Sequence, residues 1–329
     1  MRFARFAALA VLVLTSLAAL FAAEAQQAAT VPKIGYLSPW SSSSDPFHLD
    51  AFLEALREQG YVDGTNVVVI PRFADEDSRR LPGLAAELVQ LKVDAIVALT
   101  TQVARVAQQT TATIPIVFTY VSDAVRTGLV ASLARPGGNL TGYSDVTADL
   151  VQKRLALLKE VVPRVTRIGV LKNPDDPGAE IVWAELESAA RQLGLELYGL
   201  DMPTADDLTP AFAALTKAHV GSVIVLADFV LAGHRRAIAS LATSHGLPLM
   251  GWSRAWSVGG ALLSYGAGTR DVQRRVATYV AKILRGARPA DLPVEEATHF
   301  ELVINLRTAK ALGLRIPPAV LARADEIIE

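Results

Sequence analysis

The 329-residue chain contains no cysteine, which removes disulfides, thiolate metal sites and thiol nucleophiles at once. Aromatic residues make up only 6%, and 32 basic side chains nearly cancel 33 acidic ones. The charges alternate in sign along the chain and read as solvated helix faces. No basic cluster of the kind a nucleic acid requires is present. A P-loop, a dinucleotide-binding glycine fingerprint, a zinc-protease helix and a nucleophile elbow are also missing. The nearest approach to the last, Gly142-Tyr143-Ser144-Asp145-Val146, lacks its second glycine and reads as following a loop rather than a core strand. The histidines His48, His219, His234, His245 and His299 share no metal-ligand spacing, and His234 and His245 sit near the two ends of an expected surface helix. Neither a cofactor nor a metal is expected.

After residue 25 the apolar runs are short and punctuated. Before it, Arg2 and Arg5 precede an apolar run from about Phe6 to Ala23, and Ala23-Glu24-Ala25 closes the run with small residues at alternate positions. That order predicts a cleavable export signal over residues 1–25 and a mature chain starting near Gln26. Without a cysteine at the cleavage point no lipid can be attached there, so a soluble monomer in a periplasm is expected. Such a protein must be stabilised by packing alone, and roughly 300 residues predict two lobes rather than one core.

Short β-branched runs alternate with helical patterns, the mark of parallel βαβ units. Strands are expected at 33–37, 66–70, 94–99 and 114–120, with helices at 47–59, 81–91 and 101–110. Arg135-Pro136-Gly137-Gly138-Asn139 breaks the pattern, which restarts at 167–171 and runs on through strands at 195–200, 222–227 and 247–251. The tail supplies strands at 260–265 and 301–305 around a helix at 271–284, too little for a third domain and therefore a crossing between lobes. The expected fold is α/β: two doubly wound lobes joined by a multi-strand hinge. The first would comprise 31–141 plus about 266–292, the second about 142–265 plus 293–329.

In open parallel sheets, ligands bind beyond the carboxyl ends of the strands. In the first lobe that rule selects Ser38 and Trp40, then Thr100, Thr101 and Gln102 at a helix start, then Thr119, Tyr120 and Asp123. In the second it selects Asn173 and Asp176, then Asp228 and Trp252, with Tyr265 ending the crossing strand. Hydroxyls and unpaired backbone amides at a helix N-terminus suit a carboxylate. Carboxylates suit an ammonium group, and the aromatics suit an apolar side chain. Together they point to a small zwitterion. For Thr100, Thr101 and Asp123, helix or turn capping competes with this reading. For Asn173, within Asn173-Pro174-Asp175-Asp176-Pro177, turn formation competes.

Several stretches resemble the ABC transporter substrate-binding proteins that include tryptophan/tyrosine binders. They are IGYLS (34–38), GYVDGTNV (60–67), GLVASLARPGGNLTG (128–142), GGALLSYG (259–266) and ADLPVEEATHFELVINLRTAKALGL (290–314). The resemblance runs over essentially the whole chain after the leader. It implies a type I periplasmic-binding-protein fold, no catalysis, and delivery of a small solute (an amino acid or small carboxylate, aromatic or not) to an inner-membrane permease with its ATPase subunits. Where the family has Asp-Pro-Val after the fourth strand, this chain has Asp123-Ala124-Val125, keeping the acid and losing the proline. A sensory module reporting to a membrane receptor and a periplasmic enzyme are the alternative readings.

Overall fold

Strand β1 (Lys33–Ser38) is buried after its first residue, and β3 (Ala95–Leu99) and β4 (Ile116–Ser122) are buried throughout, as the middle of a sheet covered on both faces requires. They pair in parallel with β2 (Val68–Phe73), β5 (Leu140–Val146) and β11 (Glu295–Glu296) in the order β11-β5-β4-β3-β1-β2. Helices α1 (Pro46–Glu58), α2 (Leu81–Gln90) and α3 (Thr101–Thr110) make the right number of crossovers for such a sheet. The structure is a computed structural model and describes residues 31–43, 46–146, 148–204 and 207–329. The expected export signal, its cleavage point and Ser44 of the serine run lie outside them.

A second sheet has the order β13-β12-β10-β9-β8-β6-β7. Its strands are β6 (Arg167–Lys172), β7 (Glu196–Asp201), β8 (Ser222–Val225), β9 (Leu249–Gly251), β10 (Leu263–Gly266), β12 (Glu301–Asn305) and β13 (Glu326–Ile328). Only the β10–β12 pair is antiparallel. Its helices include α4 (Ala148–Val161), α5 (Ala179–Leu193), α6 (Leu208–Lys217), α7 (Phe229–Gly233), α8 (Arg235–Ser244) and α9 (Arg254–Val258). Helix α5 stops at Gly194 in a left-handed cap. His234 and His245 flank α8 and turn their ring nitrogens to the carbonyls of Val230 and Leu241, 2.9 and 2.8 Å away.

Three differences from expectation have local causes. The second strand begins at Val68 rather than Asn66, because the Asn66 side chain folds back to the Val62 amide (2.6 Å) and the Gly60 carbonyl (2.8 Å) and holds a turn. Residues 140–146, for which no element was expected, form strand β5, and α4 follows. The chain therefore leaves the first sheet after Val146, a few residues beyond the expected change near 141. It crosses back after β10, where α10 (Thr269–Leu284) packs on α1 and on β3–β5, and crosses again after β11. Three segments thus run between the sheets. Among the described residues no helix is long and apolar enough to cross a membrane.

Strand β5 was hidden by its glycine, and the glycine is there for a reason. The β4–β5 register slips between Phe118 and Val121, a bulge that holds Tyr120 at φ 55°. Opposite the bulge, a Cβ on Gly142 would sit 2.2 Å from the Phe118 carbonyl oxygen and 2.7 Å from its nitrogen. Backbone cannot swing aside as a side chain can. Gly142→Ala is therefore expected to cost about 3 kcal/mol by forcing the strands apart. Denaturant unfolding should show a lower midpoint at unchanged slope, and an unchanged midpoint would contradict the register described.

Candidate functional site

The carboxyl ends of β1, β3 and β4 meet those of β6, β8 and β9 around a cavity lined by Trp40, Thr100, Thr101, Tyr120, Asp176, Ala227, Asp228, Phe229 and Trp252. One buried apolar cluster runs through it from the first sheet to the second, by way of Trp40, Tyr120, Phe229 and Trp252. The backbone is strained here on the first-sheet side. Asp75, Glu76, Thr100, Tyr120 and Asp123 all have positive φ just beyond, or at the bulge of, a strand of that sheet. A β-branched residue such as Thr100 at φ 90° is held there only by its surroundings. Its amide donates to the Thr119 carbonyl (2.8 Å), and its hydroxyl caps α3 by accepting from the Val103 amide (3.5 Å). The Thr101 hydroxyl accepts from the Ser122 amide at 3.1 Å. Both threonines therefore cap or brace and also line the cavity, with the start of a ten-residue helix between them.

Asp228 caps α7 from the opposite side: its Oδ1 accepts from the Leu231 amide and its Oδ2 from the Asn173 amide group, both at 2.9 Å. Asn173 thus orients Asp228, while its own Oδ1 accepts from the Asp175 amide at 3.0 Å and shapes the turn that carries Asp176. Burial pushes the Asp228 carboxyl up to about 6, against the pull of those donors. Burial and the neighbouring Asp228 charge push Asp176 up to about 7. These raised values favour the protonated forms. Their stabilising contribution is complete below about pH 4 and is lost as the pH climbs through about 6 and about 7.

The aromatic residues form a connected wall. Trp40 stacks on His48 at 4.8 Å and meets Tyr120 edge-on at 6.4 Å, and Tyr120 lies 6.5 Å from Trp252. Trp252 Nε1 and Gln102 Oε1 are buried polar atoms without a protein hydrogen-bond partner.

Of the residues expected at the site, Trp40, Thr100, Thr101, Tyr120, Asp228 and Trp252 line one cavity, and Asn173 supports it through Asp228. Ser38 is fully buried and accepts from the Trp40 amide (3.3 Å), so it shapes the turn that presents the indole. Thr119 is fully buried inside β4, and Gln102 lies one position beyond the lining residues of α3. Asp123 and Tyr265 lie elsewhere. Asp123 caps the Arg126 amide at 2.9 Å on a half-exposed turn. The Tyr265 ring packs on Phe300 (5.7 Å) in a separate cavity with Lys153 and Arg323. Asp176 was legible with Asn173 as a strand-end position for which turn chemistry competed, and Arg154 gave no signal. Buried Arg154 donates to the carbonyls of Tyr265 (2.8 Å) and Trp252 (3.3 Å), pinning the Trp252 segment to β10.

Residues 37–328 match the model of the family described as ABC transporter substrate binding protein. The chain belongs to that family. A tyrosine-binding protein of Clostridioides difficile (strain R20291) is 29% identical over 267 residues, 80% of this chain and 76% of that protein. The ABC domain from Streptococcus pneumonia in complex with L-Trp superposes with a TM-score of 0.85 at 26% identity, covering 91% of this chain and all of that one. The ligand-free, open structure of a substrate binding protein with adhesive properties from Clostridium difficile gives 0.67 at 26% identity, covering 91% of this chain and 99% of that one. The fold is that of type I periplasmic binding proteins. The family and these relatives bind solutes and are not enzymes.

Proposed function

We propose that this substrate-binding protein receives a small α-amino acid with an aromatic or apolar side chain and delivers it to an inner-membrane ABC permease. One observation carries the reading. Buried Asp228 and half-buried Asp176 share a single cavity with the N-terminus of α3, and Trp40, Tyr120 and Trp252 stand around it. An ammonium group would meet the two carboxylates, and a carboxylate the α3 amides with Thr100 and Thr101. The side chain would lie against the rings, one of which offers an unpaired indole N–H. The relatives that bind tyrosine and L-Trp support the amino-acid class. The leader over residues 1–25 exports the protein, and the two sheets with their helices act as lobes that close about the three crossing segments. Closure would form the surface that a permease reads.

The test is mass spectrometry of small molecules released from the purified protein, followed by thermal shifts with L-tryptophan, L-tyrosine, L-phenylalanine and aromatic carboxylates. Failure of all of them to raise the melting temperature overturns the ligand class.

An ammonium needs ionised partners, so binding should weaken by at least about tenfold between pH 8 and pH 5, where Asp228 (about 6) is largely protonated. Calorimetry at pH 7 in buffers of different ionisation enthalpy should also register proton release on binding. A dissociation constant independent of pH would remove the carboxylate pair from ammonium recognition.

A further inference from the structure

A second, larger cavity adjoins the first, and Trp40 and Trp252 line both. Phe47 and His48 wall it from the first-sheet side and Arg235, Arg236 and Arg254 from the other. Arg254 is already compensated, donating through Nε (2.6 Å) and Nη2 (2.7 Å) to the two carboxylate oxygens of Glu326. Arg235 is different. It is half-buried, donates from Nη1 to the Ala232 carbonyl (2.9 Å), and has Arg236 beside it. Burial and the like charge of Arg236 depress its pKa. Neither Arg235 nor Arg236 has an ion-pair partner among the described residues. The acid in the field of Arg235 is Glu76, whose Oε1 accepts from the Ser41 amide at 3.3 Å. A partly desolvated guanidinium without a paired carboxylate is costly, and a planar anion satisfies it best, through two parallel hydrogen bonds.

We infer that the solute runs outward between the Trp40 and Trp252 indoles and ends in an anionic group held by Arg235 and Arg236. The inference rests on the amino-acid reading of the inner cavity and narrows it to amino acids with an anion at the far end of the side chain. The unpaired Arg235–Arg236 charge becomes a specificity determinant: a neutral side chain reaches the aromatic wall but leaves both guanidinium groups without a counter-charge.

The probes are L-phenylalanine and 4-carboxy-L-phenylalanine, compared by calorimetry at pH 8. The carboxylated amino acid is expected to bind at least tenfold more tightly to the unmodified protein. In the Arg235→Gln/Arg236→Gln double variant the ratio should fall to about one, with the L-phenylalanine constant changed less than twofold. Arg236→Gln alone, at an exposed side chain, should lower the ratio at least threefold and serves if the double variant does not fold. Equal affinity of the two probes for the unmodified protein, or a ratio that survives the substitutions, overturns this inference and leaves the inner site standing. Absence of binding by both probes overturns the amino-acid reading, and this inference with it.

Discussion

Asp228→Asn should weaken solute binding by about 30-fold or more while leaving the ligand-free protein at least as stable at pH 8. The two effects separate because the side chain does two jobs. As a cap, Oδ1 accepts from the Leu231 amide at 2.9 Å, and asparagine caps as well as aspartate. As a charge, the carboxylate is buried and raised to about 6, so its ionisation at pH 8 works against the fold. The amide keeps the first role and relieves the second, a gain that offsets the acceptor lost to the Asn173 amide group. Binding loses the counter-ion to an ammonium, and truncating one partner of a buried charged pair removes roughly 2–5 kcal/mol, which is about 30-fold to several thousand-fold in affinity. A second readout follows. The Asp228 charge helps to raise Asp176, so in the variant the remaining pH dependence should move to lower pH. Calorimetry with L-tryptophan or L-tyrosine, with thermal melts of the ligand-free protein, checks both halves. A dissociation constant within threefold of the unmodified protein would take Asp228 out of the site.

The site could be read in sequence as far as strand ends carry information. Trp40, Thr100, Tyr120, Asp228 and Trp252 each stand at or beyond the carboxyl end of a parallel strand, and both sheets turn those ends to one cavity. The rule names a position along the strand and says nothing of the face a side chain takes. Tyr265 fits it and still points away, because its ring is drawn to Phe300, which precedes β12. Asp123 fits it too, but a left-handed turn at φ 43° returns its carboxylate to the Arg126 amide three residues on. Asp176 fits the rule with Asn173, beyond the end of β6; its Asn-Pro-Asp-Asp-Pro setting reads first as turn, and it is a turn, while its place beside Asp228 gives it chemistry. Arg154 lies mid-helix with ordinary spacing, and only the fold brings its guanidinium to two carbonyls about a hundred residues later. Strand β5 went unread because Gly142 and the preceding turn residues mask a run whose place depends on the bulge in β4.

Gly178→Val should hold the two sides apart without destabilising either. Gly178 precedes α5 at φ −90° and ψ −13°, a conformation open to any L-residue, so the substitution carries no backbone strain of its own. Its neighbour across the cleft is the obstacle. An added Cβ would lie 2.7 Å from the Cβ of Ser122 at the end of β4, and 2.9 Å from its hydroxyl. A Cβ is fixed to the backbone, and the Ser122 amide is itself tied to Thr101. Relief must come from separation of the sheets, and valine's two further carbons enlarge it. Overpacking of this kind costs roughly 1–3 kcal/mol, here charged to the closed arrangement alone, so affinity should fall about 5- to 150-fold. A ligand shifts the open–closed balance only by its preference for the closed form, and that preference has less to work against in the unmodified protein. The neighbouring contact across the cleft, Arg126 to Glu185 at 2.7 Å, joins two side chains that are 49% and 34% exposed. Arg126→Ala should therefore change affinity less than threefold. Small-angle scattering with saturating ligand decides the matter. The Gly178→Val protein should keep the larger radius of gyration of its ligand-free state, and a compact, tightly binding variant would show that Ser122 and Gly178 do not limit closure.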